Sequence, residues 1–147
     1  MKESPQARKL EEILRSSQLV AGGFMGYDTR PVSEIIESDC AEVSRLGQTV
    51  EQIAERMRLI TEKAKQRLGC WTEIDASRRA RVDEAKGFLV CPWSHPGRFA
   101  KRVTIVTTAA TGQTIRWSDL NIHMIAEHCF FEGRGSAFRI EPGELVF

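Results

Sequence analysis

The chain has 147 residues, 41% of them apolar and 28% charged, with a net charge of +1. That length buries roughly 70% of the unfolded surface in one core, so the fold needs no disulfide or metal to staple it. Charge is balanced in both parts, with 11 basic and 11 acidic residues in 1–68 and 10 and 9 in 69–147. This excludes a charged tail and gives no whole-molecule attraction to nucleic acid or an anionic membrane.

The N-terminal stretch, through Ser17, carries charges throughout and has no continuous apolar region, so it does not read as a signal peptide. Ser4 followed by Pro5 is a helix start. Ala7, Leu10 and Leu14 follow at helical spacing, and Gly22-Gly23 is the expected stop. Pro31 opens a short helix through Ile35 and Ile36. Asp39 with Glu42 has capping-box spacing for a second short helix, which Gly47 ends. Thr49 with Gln52 repeats that signal. It begins the strongest element, Val50 to Leu68, whose Val50, Ile53, Ala54, Met57, Ile60, Ala64 and Leu68 share one face.

Beyond Gly69 the period changes. Trp71 to Val82 alternates weakly, as a strand pair or irregular ribbon would. Gly87 to Cys91 reads as a short buried strand, and Pro92 to Gly97 as a loop, because two prolines and a glycine leave no regular option. Arg102 to Thr108 and Gln113 to Trp117 form a hairpin around Ala109–Gly112. Ser118 caps a helix of about 14 residues ending at Gly133, and a last short segment starts at Pro142.

The expected fold class is α+β in one domain over 1–147, with a helical half over about 1–69. A small antiparallel sheet with a C-terminal helix fills about 70–147. No stretch approaches the roughly 20 apolar residues of a membrane span. Cys40, Cys70, Cys91 and Cys129 are irregularly spaced with no CxxC, which suits reduced, mostly buried thiols in the cytoplasm.

Chemically capable side chains concentrate in the last third. Cys91 and His95 have C-x3-H spacing on a loop, and His123 and His128 have H-x4-H spacing on a helix. One thiolate and three imidazoles make a plausible set for zinc or another divalent transition metal. Helical geometry resists this set, because five residues of regular helix turn about 500° and leave the two imidazoles about 140° apart. They share an ion only if the helix loosens near its end. Asp119, His123 and Glu127 fit one face of an ideal helix better, which makes the two carboxylates alternative ligands or partners of the ligands. Four protein ligands would close a structural site. Three would leave a place for water, and Glu127 would then be the general base of a hydrolytic one. The competing readings are a metal-free acid–base site using His123 with Glu127 or Asp119, and histidines that serve only packing and solvation.

Other features have plainer explanations. Gly22 to Gly26 lacks the Lys-Ser/Thr of a P-loop and follows a helix, not a strand. Arg134 and Arg139 flank a glycine-bearing loop that suits a turn. Arg78, Arg79, Arg81, Arg98, Lys101, Arg102 and Arg116, with Trp71, Trp93, Phe99 and Trp117 nearby, could form an Arg-rich sheet face that binds nucleic acid or a protein. Such a module needs Arg98, Arg102 and Arg116 on one face with an exposed tryptophan. The helix from Val50 is the candidate surface for a homodimer. The leading expectation is a small cytoplasmic metal-binding protein, with the nucleic-acid- or protein-binding module as alternative.

Overall fold

The computed structural model describes residues 4–147; Met1 to Glu3, the start of the stretch read as no signal peptide, lie outside them. In the described residues, four helices and a four-stranded antiparallel sheet give an α+β fold with a helical N-terminal half.

Helix α1 spans Pro5–Arg15, and Ser4 caps it by accepting the Ala7 N–H at 3.1 Å. It ends at Ser16, well before the glycine pair. Gly22 and Gly23 instead belong to the returning chain, where the Phe24 N–H reaches the Leu14 carbonyl at 2.8 Å. Helix α2 runs unbroken over Val32–Arg45, in place of the two short helices that Asp39 and Glu42 suggested. Asp39 does not cap a helix. It is buried in mid-helix and takes both terminal nitrogens of Arg139, at 2.5 and 3.0 Å. An Asp–Glu spacing with the geometry of a cap was in fact half of a long-range ion pair. Helix α3, Val50–Lys65, begins with the expected Thr49–Gln52 capping box, both hydrogen bonds being made.

The strands β1 (Thr72–Glu73), β2 (Arg78–Leu89), β3 (Phe99–Thr108) and β4 (Thr114–Ser118) pair in chain order as a meander. Strand β2 absorbs most of the stretch read as a separate buried strand. Phe88 and Val90 are 60% and 43% exposed, and a register shift lies between Glu84 and Phe88, with Gly87 at φ 101°. The short apolar run thus marks a bulged hairpin arm, where the positive φ favours glycine. Helix α4 spans Asp119–His128 and is shorter than expected, because Cys129 takes the left-handed conformation at φ 52°. A 3-10 turn, Pro142–Leu145, closes the chain's last segment.

Alternation divides the sheet. Ala80, Val82, Val106, Ile115 and Trp117 face the core with Ile53, Met57 and Ile60 of α3. At its centre the fully buried Trp117 donates its indole N–H to Thr61 Oγ1 at 2.9 Å, and Thr61 meets Thr104 at 2.8 Å. A second cluster gathers Leu14, Phe24, Met25, Val32, Ile35, Leu120, Met124 and Phe130. Helix α4 contributes to both clusters, with Ile122 and Ile125 in the first and Leu120 and Met124 in the second.

The expectation of four free thiols is corrected: Cys40 and Cys129 form a disulfide with Cα atoms 6.1 Å apart, joining α2 to the end of α4. Cys70 and Cys91 are free. Wide spacing in sequence concealed the pair, because 89 residues separate two positions that the packing of α2 on α4 makes neighbours. No helix among the described residues is long and apolar enough to cross a membrane.

Two substitutions test this packing. Thr61→Val strands the buried Trp117 N–H and the Thr104 hydroxyl, and urea unfolding should show a loss of about 1–3 kcal/mol; an unchanged midpoint would mean that neither bond contributes. Cys40→Ser should cost about 2–4 kcal/mol under non-reducing conditions. Adding a dithiol should bring the parent protein to the variant's melting temperature without moving the variant.

Candidate metal centre

The site is assembled by two elements that the sheet register brings together. Leu89 pairs with Phe99, so residues 90–98 form the loop of the β2–β3 hairpin. Within it the Ser94 N–H returns to the Cys91 carbonyl at 3.0 Å, and Ser94 sits at φ 61°. This tight turn presents Cys91 and His95 to one side. Cys91 is itself buried in the second apolar cluster, which anchors the loop.

Helix α4 supplies His123 and His128, whose ligand atoms meet in spite of the geometric objection to that pair. The Cys129 N–H is shared between the carbonyls of Ile125 and Met124, and the Phe130 N–H also reaches Met124, at 3.2 Å. A turn closed five residues back is wider than a regular α-turn. The two imidazoles converge, their ring centroids 5.7 Å apart and the His95 ring 5.3 Å from His123 and 4.5 Å from His128.

The four ligand atoms of Cys91, His95, His123 and His128 all lie within 4.8 Å of one another, close enough to share one metal ion. Cys91 Sγ is 3.5 Å from His128 Nε2, and His95 Nδ1 is 3.3 Å from His123 Nε2. Aromatic walls hold the rings. Trp93 stacks on His128 with centroids 4.0 Å apart and planes 9° from parallel, and Phe99 leans on His123 at 4.7 Å. Trp93 also meets Phe130 edge-on at 5.4 Å, which ties the loop to the core. Sequence reasoning missed Trp93 and Phe99 as supports. Their proximity to Cys91 and His95 in the chain was the available signal, but which ring each covers depends on the register of β2 on β3.

Partial burial shifts the protonation of the set. His128 falls to about 4, first through desolvation and then through the neighbouring His95 and His123. His123 falls for the same leading reason, with His95 adding to it. Both are therefore neutral near pH 7, the form that ligates metal. Burial pushes the Cys91 thiol up, against main-chain hydrogen bonds from Trp93 and His95 that favour the thiolate.

The two carboxylates take other places. Asp119 is held by Arg102 at 2.7 Å, and Arg102 also takes Glu84 at 2.7 Å. Asp119 thus ties the first turn of α4 to β3, and burial raises its pKa in spite of that partner. Glu127 is exposed, and its charge opposes the lowering at His123 and His128. The arginines named for a binding face are divided. Arg79 and Arg81 lie over Trp71, Arg116 over Phe138 and Arg98 over Phe88, while Arg102 is engaged by Glu84 and Asp119. Trp117, beside Arg116 in sequence, is fully buried.

This division of labour predicts that Asp119→Asn leaves metal content unchanged, as read by plasma mass spectrometry, while lowering the melting temperature. Loss of metal in that variant would make Asp119 a ligand or a direct support of one. Comparison with protein-family models, with curated proteins and with solved structures found no match, so the geometry of the site carries the functional reading alone.

Proposed function

We propose that the chain binds one zinc ion through Cys91, His95, His123 and His128, and that the ion is structural, pinning the β2–β3 loop to the end of α4. The observation that carries this reading is the pair of closest ligand distances. Tetrahedral zinc, with bonds of about 2.0–2.1 Å to nitrogen and about 2.3 Å to sulfur, sets nitrogen–nitrogen edges of about 3.3–3.4 Å and nitrogen–sulfur edges of about 3.5–3.6 Å. His95–His123 at 3.3 Å and Cys91–His128 at 3.5 Å match these and share no residue, as opposite edges of a tetrahedron would; binding would draw in the remaining edges, which reach at most 4.8 Å.

Four protein ligands favour a closed site, because a hydrolytic zinc keeps a coordination position for water. Glu127 is then an outward carboxylate near a cationic centre, not a general base. One thiolate and three imidazoles also suit cobalt, but oxygen-preferring calcium and magnesium are excluded by the donor set. The cytoplasm is the expected setting, where Cys91 stays reduced; the Cys40–Cys129 disulfide is the feature least at home there.

Untagged protein should carry close to one zinc per chain by plasma mass spectrometry. His123→Ala and Cys91→Ser should each weaken zinc by more than about a hundredfold, since losing a direct ligand exceeds the 10- to 100-fold cost of losing a ligand's support. Cobalt substitution should give the intense visible bands of a tetrahedral ion and a sulfur-to-cobalt charge-transfer band that vanishes in Cys91→Ser. Protein that is metal-free when fresh and takes up neither ion overturns the reading. A weak, octahedral cobalt spectrum would instead point to an open site with bound water.

A further inference from the structure

At the opposite end of α4 from the metal centre lies a cavity of about 320 Å³, at the lower end of the range for small-molecule sites. It is bounded by the loop around Phe24, the ends of β2 and β3, and the segment after α4. Phe24, Leu89, Val103, Leu120 and Phe138 make its walls mostly apolar. Glu132 also lies on its wall, and is 4% exposed.

Glu132 bears two costs. Its backbone is left-handed at φ 68°, a conformation that costs a side-chain-bearing residue about 1–2 kcal/mol. Its acid group is buried, which disfavours the charge and raises it to about 7. The backbone has a structural explanation, because the Glu132 carbonyl accepts from Arg139 at 2.9 Å. The carboxyl group has none of that kind. Among the described residues its donors are neutral: the Asn121 amide at 2.5 Å and the Ser136 hydroxyl. The two nearby arginines are otherwise engaged. Arg139 spends its guanidinium on Asp39, Glu141 and that carbonyl. Arg102 and Lys101 also line the cavity; Arg102 is held by Glu84 and Asp119, and Lys101 is exposed and makes no ion pair with Glu132. A buried carboxyl without a counter-ion is disfavoured as an anion unless a cation joins it.

We infer that this cavity is a binding site for a small apolar molecule carrying a primary amine, the ammonium pairing with Glu132 and the apolar body filling the space between Phe24, Leu120 and Phe138. Ser118 and Ser136 also line the cavity. Ser118 hydrogen-bonds Asn121, and Asn121 and Ser136 both hydrogen-bond Glu132, so the carboxyl group is oriented before any ligand arrives.

The test uses 2-phenylethylamine and its near-isostere 2-phenylethanol, titrated calorimetrically into the untagged full chain at pH 7. The amine should bind at least ~10-fold tighter than the alcohol, the factor that a charge-assisted hydrogen bond contributes over a neutral one. Its binding enthalpy should vary with the buffer's ionisation enthalpy, because pairing releases protons from Glu132. Glu132→Gln, which keeps acceptor and donor groups for Asn121 and Ser136, should abolish the preference for amine while leaving the alcohol's affinity unchanged; retained alcohol binding also shows that the cavity is still formed. Should the variant fail to fold, the wild-type comparison decides alone. Binding of neither probe, equal binding of both, or an amine preference that survives in Glu132→Gln would each overturn the inference.

Discussion

The constraint on which the rest depends is the burial of α4 between two apolar clusters. Ile122 and Ile125 face the sheet and α3, while Leu120 and Met124 face α1, α2 and the Phe24 loop. Each of these side chains contributes about 1.5–3 kcal/mol when fully buried. Rotating the helix would expose one group or the other, so its orientation is fixed by packing before any ligand is considered. What remains outside both clusters is the strip carrying Asp119, His123 and Glu127. His128, at the helix end, brings its imidazole to 5.7 Å from the His123 ring. A rigid helix thus supplies half of the ligand set, and a hairpin loop anchored by buried Cys91 and by Trp93 supplies the other half.

Electrostatics follow from the same packing. Burial keeps His123 and His128 neutral and holds Cys91 as a thiol. Those three groups are therefore uncharged near pH 7 without metal, and a dication would displace the thiol proton on binding. A divalent ion with one thiolate leaves the centre with a net positive charge. Glu127, whose charge acts on Cys91, His123 and His128 alike, is placed to offset it from the exposed side.

Elements with local signals were legible in the sequence. Ser4 before Pro5, the Thr49–Gln52 box, the long apolar face of α3 and the β3–β4 hairpin each rest on residues within a few positions of one another. The four candidate ligands were also legible, because C-x3-H and H-x4-H are local spacings. What failed was non-local. Asp39 looked like a cap because its partner, Arg139, lies 100 residues away. Cys40 and Cys129 looked unrelated for the same reason. Phe88 and Val90 looked buried because apolarity was visible and the hairpin's bulge was not. The meeting of the His123 and His128 rings depends on how Trp93 and His95 of the hairpin loop pack against them, which spacing along the helix does not carry, so the ideal-helix objection to His128 could be stated in sequence but not answered.

Both ends of α4 carry polar machinery, and neither end is independent of the core. At its start, the Asn121 carbonyl takes the Ser118 N–H as a cap, while its amide reaches Glu132. One side chain thus terminates the helix and orients a buried acid. At its end, Cys129 terminates the helix and bonds α2 through sulfur. An N-cap is ordinarily worth about 1 kcal/mol and is satisfied by several short polar side chains, and a left-handed C-terminal residue is usually glycine or asparagine. Here each cap has a second obligation that most substitutes cannot meet, so the identities of Asn121 and Cys129 are set by what lies beyond the helix. Because α4 is clamped as one body, the cavity and the metal centre share a common frame, and each is positioned by the packing that positions the other.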